Sequence, residues 1–197
     1  MIRFKPNKKG WLVIGGMLVL VGAMVYAKRK RLKKLTMDTV NWIKEKTWDF
    51  HSDRRIATLH PSIRAKAKEF IIRAEQELGI KLRVTSALRT FEEQEQLYAQ
   101  GRTKPGKVVT NARAGRSLHN YGLALDVVEI KDGEALWHNP NWNKIADLGK
   151  SIGFSWGGDW TSIKDRPHFE MRFGKTTNEL IALYQSGERE GEYVNLV

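Results

Sequence analysis

Apolar positions along the chain change period several times, and each change marks an element. From Trp11 to Ala27 the run is uncharged for 17 residues, with Trp11 and Tyr26 near its ends. Ile63, Ala67, Phe70, Ile71, Ala74 and Leu78 recur at helical spacing, with Pro61 suited to a first helical turn and Gly79 to a stop. Lys81–Ser86 alternates and is rich in β-branched residues, which predicts a strand. Thr90 followed three residues later by Glu93 is a capping box opening a helix over Phe91–Gln100. Residues 101–116 hold three glycines, a proline and five basic residues without periodicity, and read as a loop. Gly122–Ile130 predicts a second strand, Asn141–Ile152 a helix ended by Gly153, His168–Phe173 a third strand and Thr176–Gln185 a last helix. Helices and strands do not strictly alternate. The expected class is α+β, a small antiparallel sheet flanked by helices, preceded by an N-terminal transmembrane helix.

The uncharged run supports that last element. As a helix it covers about 25 Å, slightly short of a hydrocarbon core of about 30 Å. Arg3, Lys5, Lys8 and Lys9 precede it; Lys28–Arg31, Lys33 and Lys34 follow. Six basic residues directly after it argue against a cleaved signal peptide and for an uncleaved anchor. The expected division is residues 1–27 as the anchor in a lipid bilayer, 28–58 as a basic stalk, and 59–197 as the catalytic domain. The basic residues lean slightly toward a cytoplasmic C-terminal side, whereas the chemistry below calls for the opposite side.

Charge changes the picture less than its total suggests. The formal net charge is +12, but ten of the 34 Lys/Arg and none of the 22 Asp/Glu lie in residues 1–35, so 24 basic and 22 acidic residues remain for the rest. A near-neutral domain disfavours nucleic acid as a partner. The absence of cysteine excludes disulfides and thiolate metal sites.

The chemistry is concentrated in Ser117-x-His119-x-x-Gly122-x-Ala124-x-Asp126 and, later, Asp165-x-x-His168. Two histidines and a carboxylate are the ligand set of a catalytic zinc, with a fourth position open; the same set also serves iron oxygenases. Asp165 stands where a general base would act on water at the metal and then protonate the leaving amine. Arg89, after the first strand, is either a surface arginine or a group that steadies a developing oxyanion. Ser117 is a hydrogen-bonding or turn residue. A Ser117–His119–Asp126 triad is disfavoured, because no nucleophile elbow is present and Asp165-x-x-His168 would go unused. Glu170 shares a strand face with His168 and is a candidate to orient it. Trp156 and Asp159, with Trp160, line a substrate groove or belong to the core.

These motifs resemble those of the zinc D,D-carboxypeptidase and L-alanyl-D-glutamate endopeptidase family, the VanY-like and phage-endolysin-type peptidases, from about His60 to Phe173. Trp156-Gly-Gly-Asp-Trp160 and Arg166-Pro-His168-Phe-Glu170 are closer to the endopeptidase branch. The resemblance implies Zn²⁺ held by His119, Asp126 and His168, Asp165 as base, Arg89 on the substrate carbonyl, and the peptidoglycan stem peptide as substrate. It implies a place on the wall side of a membrane or in a phage-encoded enzyme. A D-Ala-D-Ala carboxypeptidase and a non-catalytic peptidoglycan-binding protein are the alternatives.

Overall fold

The computed structural model describes residues 8–196, with side chains from Leu20 onward except Val21. The chain divides between Lys44 and Glu45 into two units. Helix α1 covers Lys8–Ala57. In the first unit, Leu32, Leu35, Val40 and Trp42 are exposed, and the hydroxyls of Thr36 and Thr39 bond back to the carbonyls of Lys33 and Leu35 at 2.9 Å. Most side chains of the expected membrane span lie outside the described residues. Among the described residues no helix is long and apolar enough to cross a membrane.

The second unit, from Glu45, is α+β. Helix α2 spans Pro61–Leu78, with Pro61 in its first turn and Gly79 left-handed at its end, as the apolar spacing predicts. Strand β1 (Leu82–Ser86) leads to α3 (Phe91–Ala99), whose Thr90/Glu93 capping box is formed on both sides. A 3₁₀ turn at Leu118–Tyr121 precedes β2 (Ala124–Lys131). Then come β3 (Glu134–Leu136), α4 (Trp142–Ile152), β4 (Ser155–Trp156), a second 3₁₀ turn (Gly157–Asp159), β5 (His168–Glu170) and α5 (Thr177–Ser186). A separate hairpin, β6 (Arg189–Glu190) and β7 (Tyr193–Val194), completes the unit. The main sheet is antiparallel in the order β1-β2-β5-β4, with β3 also on β2.

Helices α2 and α4 meet in the core over the sheet. The Phe70 ring lies 4.8 Å from Phe169 and 5.8 Å from Phe154. A Cβ on Gly149 would stand 2.6 Å from the Phe169 ring, so glycine is what lets α4 close on β5.

The compact unit begins at Glu45. The last turns of α1 cover the outer edge of β1. The Ser52 hydroxyl accepts from Val84 N–H at 3.0 Å, and Arg55 donates to the Val84 carbonyl at 3.1 Å. Asp49 pairs with Arg83 at 2.5 Å, Glu45 with Lys81 at 2.7 Å, and Ile56 is buried in the core. An edge strand whose outward polar groups are taken by a neighbouring helix is closed to further pairing.

Candidate metal centre and active-site cleft

The site is assembled where β2 and β5 lie side by side. Asp126 and His168 are directly opposed in that antiparallel pair, so their side chains leave one sheet face together. His119 comes from the 3₁₀ turn just before β2. Three contacts fix that turn. Ser117 caps it by accepting from His119 N–H at 3.3 Å. The His119 carbonyl accepts from Arg89 N–H at 2.9 Å. Gly122 leaves the turn at φ 66° with its backbone against His60, where a Cβ would be 2.7 Å from the His60 nitrogen.

The buried imidazole of His119 donates through Nδ1 to the Ala87 carbonyl at 2.7 Å, which leaves the Nε2 lone pair facing inward. Nε2 is 3.2 Å from His168 Nδ1 and 3.3 Å from Asp126 Oδ1; His168 Nδ1 is 3.1 Å from the same Oδ1. These atoms form a nearly equilateral triangle. Tetrahedral donors about 2.0 Å from a zinc ion stand about 3.3 Å from one another, so the triangle has the dimensions of one face of such a site. His119, Asp126 and His168 are therefore a group that could hold a metal ion. On the far side of the His168 ring, Nε2 meets Glu170 Oε2 at 3.0 Å, and Arg172 donates to the other Glu170 oxygen at 2.8 Å. That chain sets the ring so that Nδ1 faces the triangle.

The charges are strongly coupled. Burial opposes ionisation of Asp126, but the two histidines overcome it and hold the carboxyl well below the usual carboxylate range. Burial likewise disfavours a charged His168, and Asp126 and Glu170 outweigh it, raising the imidazole to about 9. Asp165 moves the other way: burial first, then the nearby Asp126 charge, raise it.

The triangle opens into a cleft of about 590 Å³ whose walls include Arg89, Thr110, Arg116, Ser117, Trp160 and Asp165. Arg89 Nη2 lies 3.8 Å from Asp126 and donates to the Ser86 hydroxyl at 3.0 Å, while Nη1 donates to Gln94 at 2.8 Å. Asp165 hangs on a tight turn: its N–H donates to the Gly157 carbonyl at 3.0 Å, and its carbonyl accepts from His168 N–H at 3.3 Å. The structure thus brings together His119, Asp126, His168, Asp165, Arg89, Ser117 and Glu170. Trp156 and Asp159 are elsewhere. Trp156 is packed in the core with Nε1 donating to the Arg166 carbonyl at 2.7 Å, and exposed Asp159 pairs with Lys150 at 2.6 Å. Their neighbour Trp160 takes the cleft position, its ring 4.9 Å from that of His168.

Two residues of the site escape the motif reading. Gln94, fully buried, holds Arg89 and donates to the Ala112 carbonyl at 2.7 Å. Asn120 ties the Arg89 and Thr90 carbonyls to the loop at Gly115. Gln94 did leave a signal, a polar residue within the Phe91–Gln94–Leu97 stripe that a core-facing helix would fill with apolar side chains.

The chain is similar to several known proteins. A family profile described as D-alanyl-D-alanine carboxypeptidase matches residues 110–171. The peptidoglycan L-alanyl-D-glutamate endopeptidase CwlK of Bacillus subtilis (strain 168) is 44% identical over 123 residues, covering 57% of this chain and 73% of that protein. The L-alanyl-D-glutamate peptidase of Listeria phage A118 is 31% identical over 98 residues, 48% of this chain and 32% of the phage protein. Among solved structures, the Serratia marcescens L-Ala D-Glu endopeptidase ChiX aligns with a TM-score of 0.44 at 25% identity, over 62% of this chain and 86% of its own. With nearly three quarters of CwlK matched at that identity, the chain belongs to the M15 peptidases, the family of zinc D,D-carboxypeptidases and L-alanyl-D-glutamate endopeptidases.

Proposed function

We propose that the chain is a zinc-dependent peptidoglycan hydrolase that cuts the stem peptide at the L-Ala–D-Glu bond. The observation that carries the reading is the triangle of His119 Nε2, Asp126 Oδ1 and His168 Nδ1, with edges of 3.1 to 3.3 Å. Those three atoms would hold the zinc, which when bound lowers the pKa of water toward about 7 and polarises a carbonyl. The chain's own residues do the rest. Asp165 takes a proton from the attacking water and returns it to the leaving amine. Arg89, fixed by Ser86 and Gln94, points its charge at the substrate carbonyl oxygen and stabilises the negative charge that develops there. The Ala87 carbonyl and Glu170 hold the two imidazoles in the orientation that presents one lone pair each. Ser117 shapes the turn under His119, and Trp160 gives the cleft an apolar wall.

The choice of bond is supported by the endopeptidase names of CwlK and the phage protein. The matching profile's description favours a second reading, a D-Ala-D-Ala carboxypeptidase on the same scaffold. Mass spectrometry of defined muropeptides incubated with the full chain separates them. A new N-terminal D-Glu, suppressed by a chelator and restored by Zn²⁺, is the expected result. Loss of terminal D-Ala alone would establish the carboxypeptidase, and turnover unaffected by chelation would overturn the metal assignment.

Residues 11–27 serve, in this reading, as an anchor in the bilayer, which the uncharged run between two basic clusters supports; the wall side for the catalytic domain follows from the substrate alone, against the slight lean of the basic residues. Fractionation of the full chain with membranes, and its loss when residues 1–27 are removed, tests the anchor.

A further inference from the structure

A second cavity of about 610 Å³ adjoins the catalytic cleft, and Arg89 and Leu97 line both. The two spaces are therefore neighbours across the residue proposed to hold the substrate carbonyl. The second cavity is basic: Arg55, Arg89 and Lys104 face Glu93. The Glu93 carboxylate is engaged, accepting from Thr90 N–H at 2.8 Å at the start of α3. The Arg89 guanidinium is held by Gln94, Ser86 and Asp126, and the Lys104 ammonium donates to Gln96.

Arg55 differs from both. It is half-buried, comes from the last turn of α1, and spends one N–H on the Val84 carbonyl. Among the described residues it has no carboxylate within ion-pair distance. A guanidinium carries five donors in a fixed fork matched to a carboxylate. A half-buried guanidinium beside an open cavity, with most of its donors uncommitted, is a site for an anion. The walls also carry Leu88, Leu97 and Pro105, the mixture of apolar surface and few charges that small-ligand pockets show.

We propose that this cavity is an extension of the substrate cleft that receives a carboxylate-bearing arm of the peptide, with Arg55 as the residue that binds it. The inference rests on the peptidase reading above, since the arm belongs to the molecule whose amide is cut next door. It makes Arg55 a specificity residue that takes no part in bond breaking.

The test uses the full chain with Zn²⁺ and one stem tripeptide in two forms, its carboxyl groups free or amidated. KM and kcat are measured for wild type, Arg55→Gln and Arg55→Lys; glutamine keeps a donor for the Val84 carbonyl and removes the charge. The expected result is a KM for the free-acid peptide raised about tenfold in Arg55→Gln with kcat unchanged, little change for the amidated peptide, and partial recovery in Arg55→Lys. Calorimetric binding of an uncleaved γ-D-glutamyl dipeptide, free or amidated, is run on the same variants. Equal effects on both forms, or none, would overturn the inference and leave Arg55 as a clasp for β1. A wild type that cleaves neither tripeptide would overturn the peptidase reading, and the calorimetry would still decide Arg55.

Discussion

Gly157 sits where the Asp165–His168 turn folds back on the second 3₁₀ turn, and replacing it by alanine is expected to separate catalysis from folding. A Cβ there would stand 2.5 Å from the Asp165 carbonyl oxygen, 3.0 Å from the His168 Cβ and 3.2 Å from the Asp165 Cβ. Ordinary contact begins at 3.4 Å, so the carbonyl must retreat by about 0.9 Å. The neighbours are backbone and Cβ atoms, which yield less readily than a side-chain tip. The overpacking costs about 1–3 kcal/mol, which for a domain of this size lowers Tm by roughly 2–4 °C per kcal/mol. The catalytic penalty is larger. Moving a proton-transfer group and a metal ligand by about 1 Å is worth about 10²-fold in rate. The assay is kcat/KM on a defined muropeptide with zinc content and thermal melting measured in parallel. Gly157→Ala is expected to stay folded and lose about two orders of magnitude in kcat/KM. A variant within twofold of wild type, with normal zinc, would refute the claim that this close approach sets the positions of Asp165 and His168.

Other substitutions test the parts separately. Asp165→Asn is expected to retain zinc and lose about 10²–10⁴-fold in kcat; retained turnover removes Asp165 as the proton carrier. Glu170→Gln keeps the side-chain shape but loses the charge that fixes His168, and competition with a chelator should show zinc affinity about 10- to 100-fold weaker; equal affinity would make Glu170 a bystander. His60 predicts a pH effect on stability. Its Nε2 meets the Val194 carbonyl at 3.0 Å and its Nδ1 accepts from Ser62 N–H at 3.2 Å, so the fold wants the neutral ring. Burial lowers its pKa, with the Arg64 charge adding to the effect against the opposing Val194 carbonyl. The contribution is complete above an unfolded value of about 6.5 and is lost as pH falls from there toward the folded pKa. Melting between pH 7.5 and 5.5 should show a fall in Tm that His60→Asn lessens; identical slopes would exclude His60 as the source.

How far the site could be read in advance depended on the range of each signal. His119, Asp126 and His168 stand out because ligand chemistry restricts residue type and local spacing restricts position. The Glu170 contact follows from strand alternation, two residues along one face. The pairing of Asp126 opposite His168 depends on the register of β2 and β5, which sequence spacing does not carry. Choosing among Trp156, Asp159 and Trp160 was equally out of reach, because within Gly157–Asp159 a 3₁₀ turn rotates successive side chains away from any regular period. Strands of two or three residues, such as β4, β6 and β7, are too short to show alternation. The end of α1 reads as charged surface because its contacts with the domain are mostly polar: Glu45, Asp49, Ser52 and Arg55 reach residues some thirty positions away.

That end of α1 bears on how the protein can be handled. A chain shortened to begin at residue 59 would keep every member of the metal triangle. It would also leave the Val84 N–H and carbonyl facing water on an uncovered strand and remove Ile56 from the core. Such an edge is a template for strand addition between molecules. Its first defect would be insolubility, with the chemistry of the site intact in whatever fraction stays in solution. A shortened form that begins at Glu45 or earlier keeps the seal.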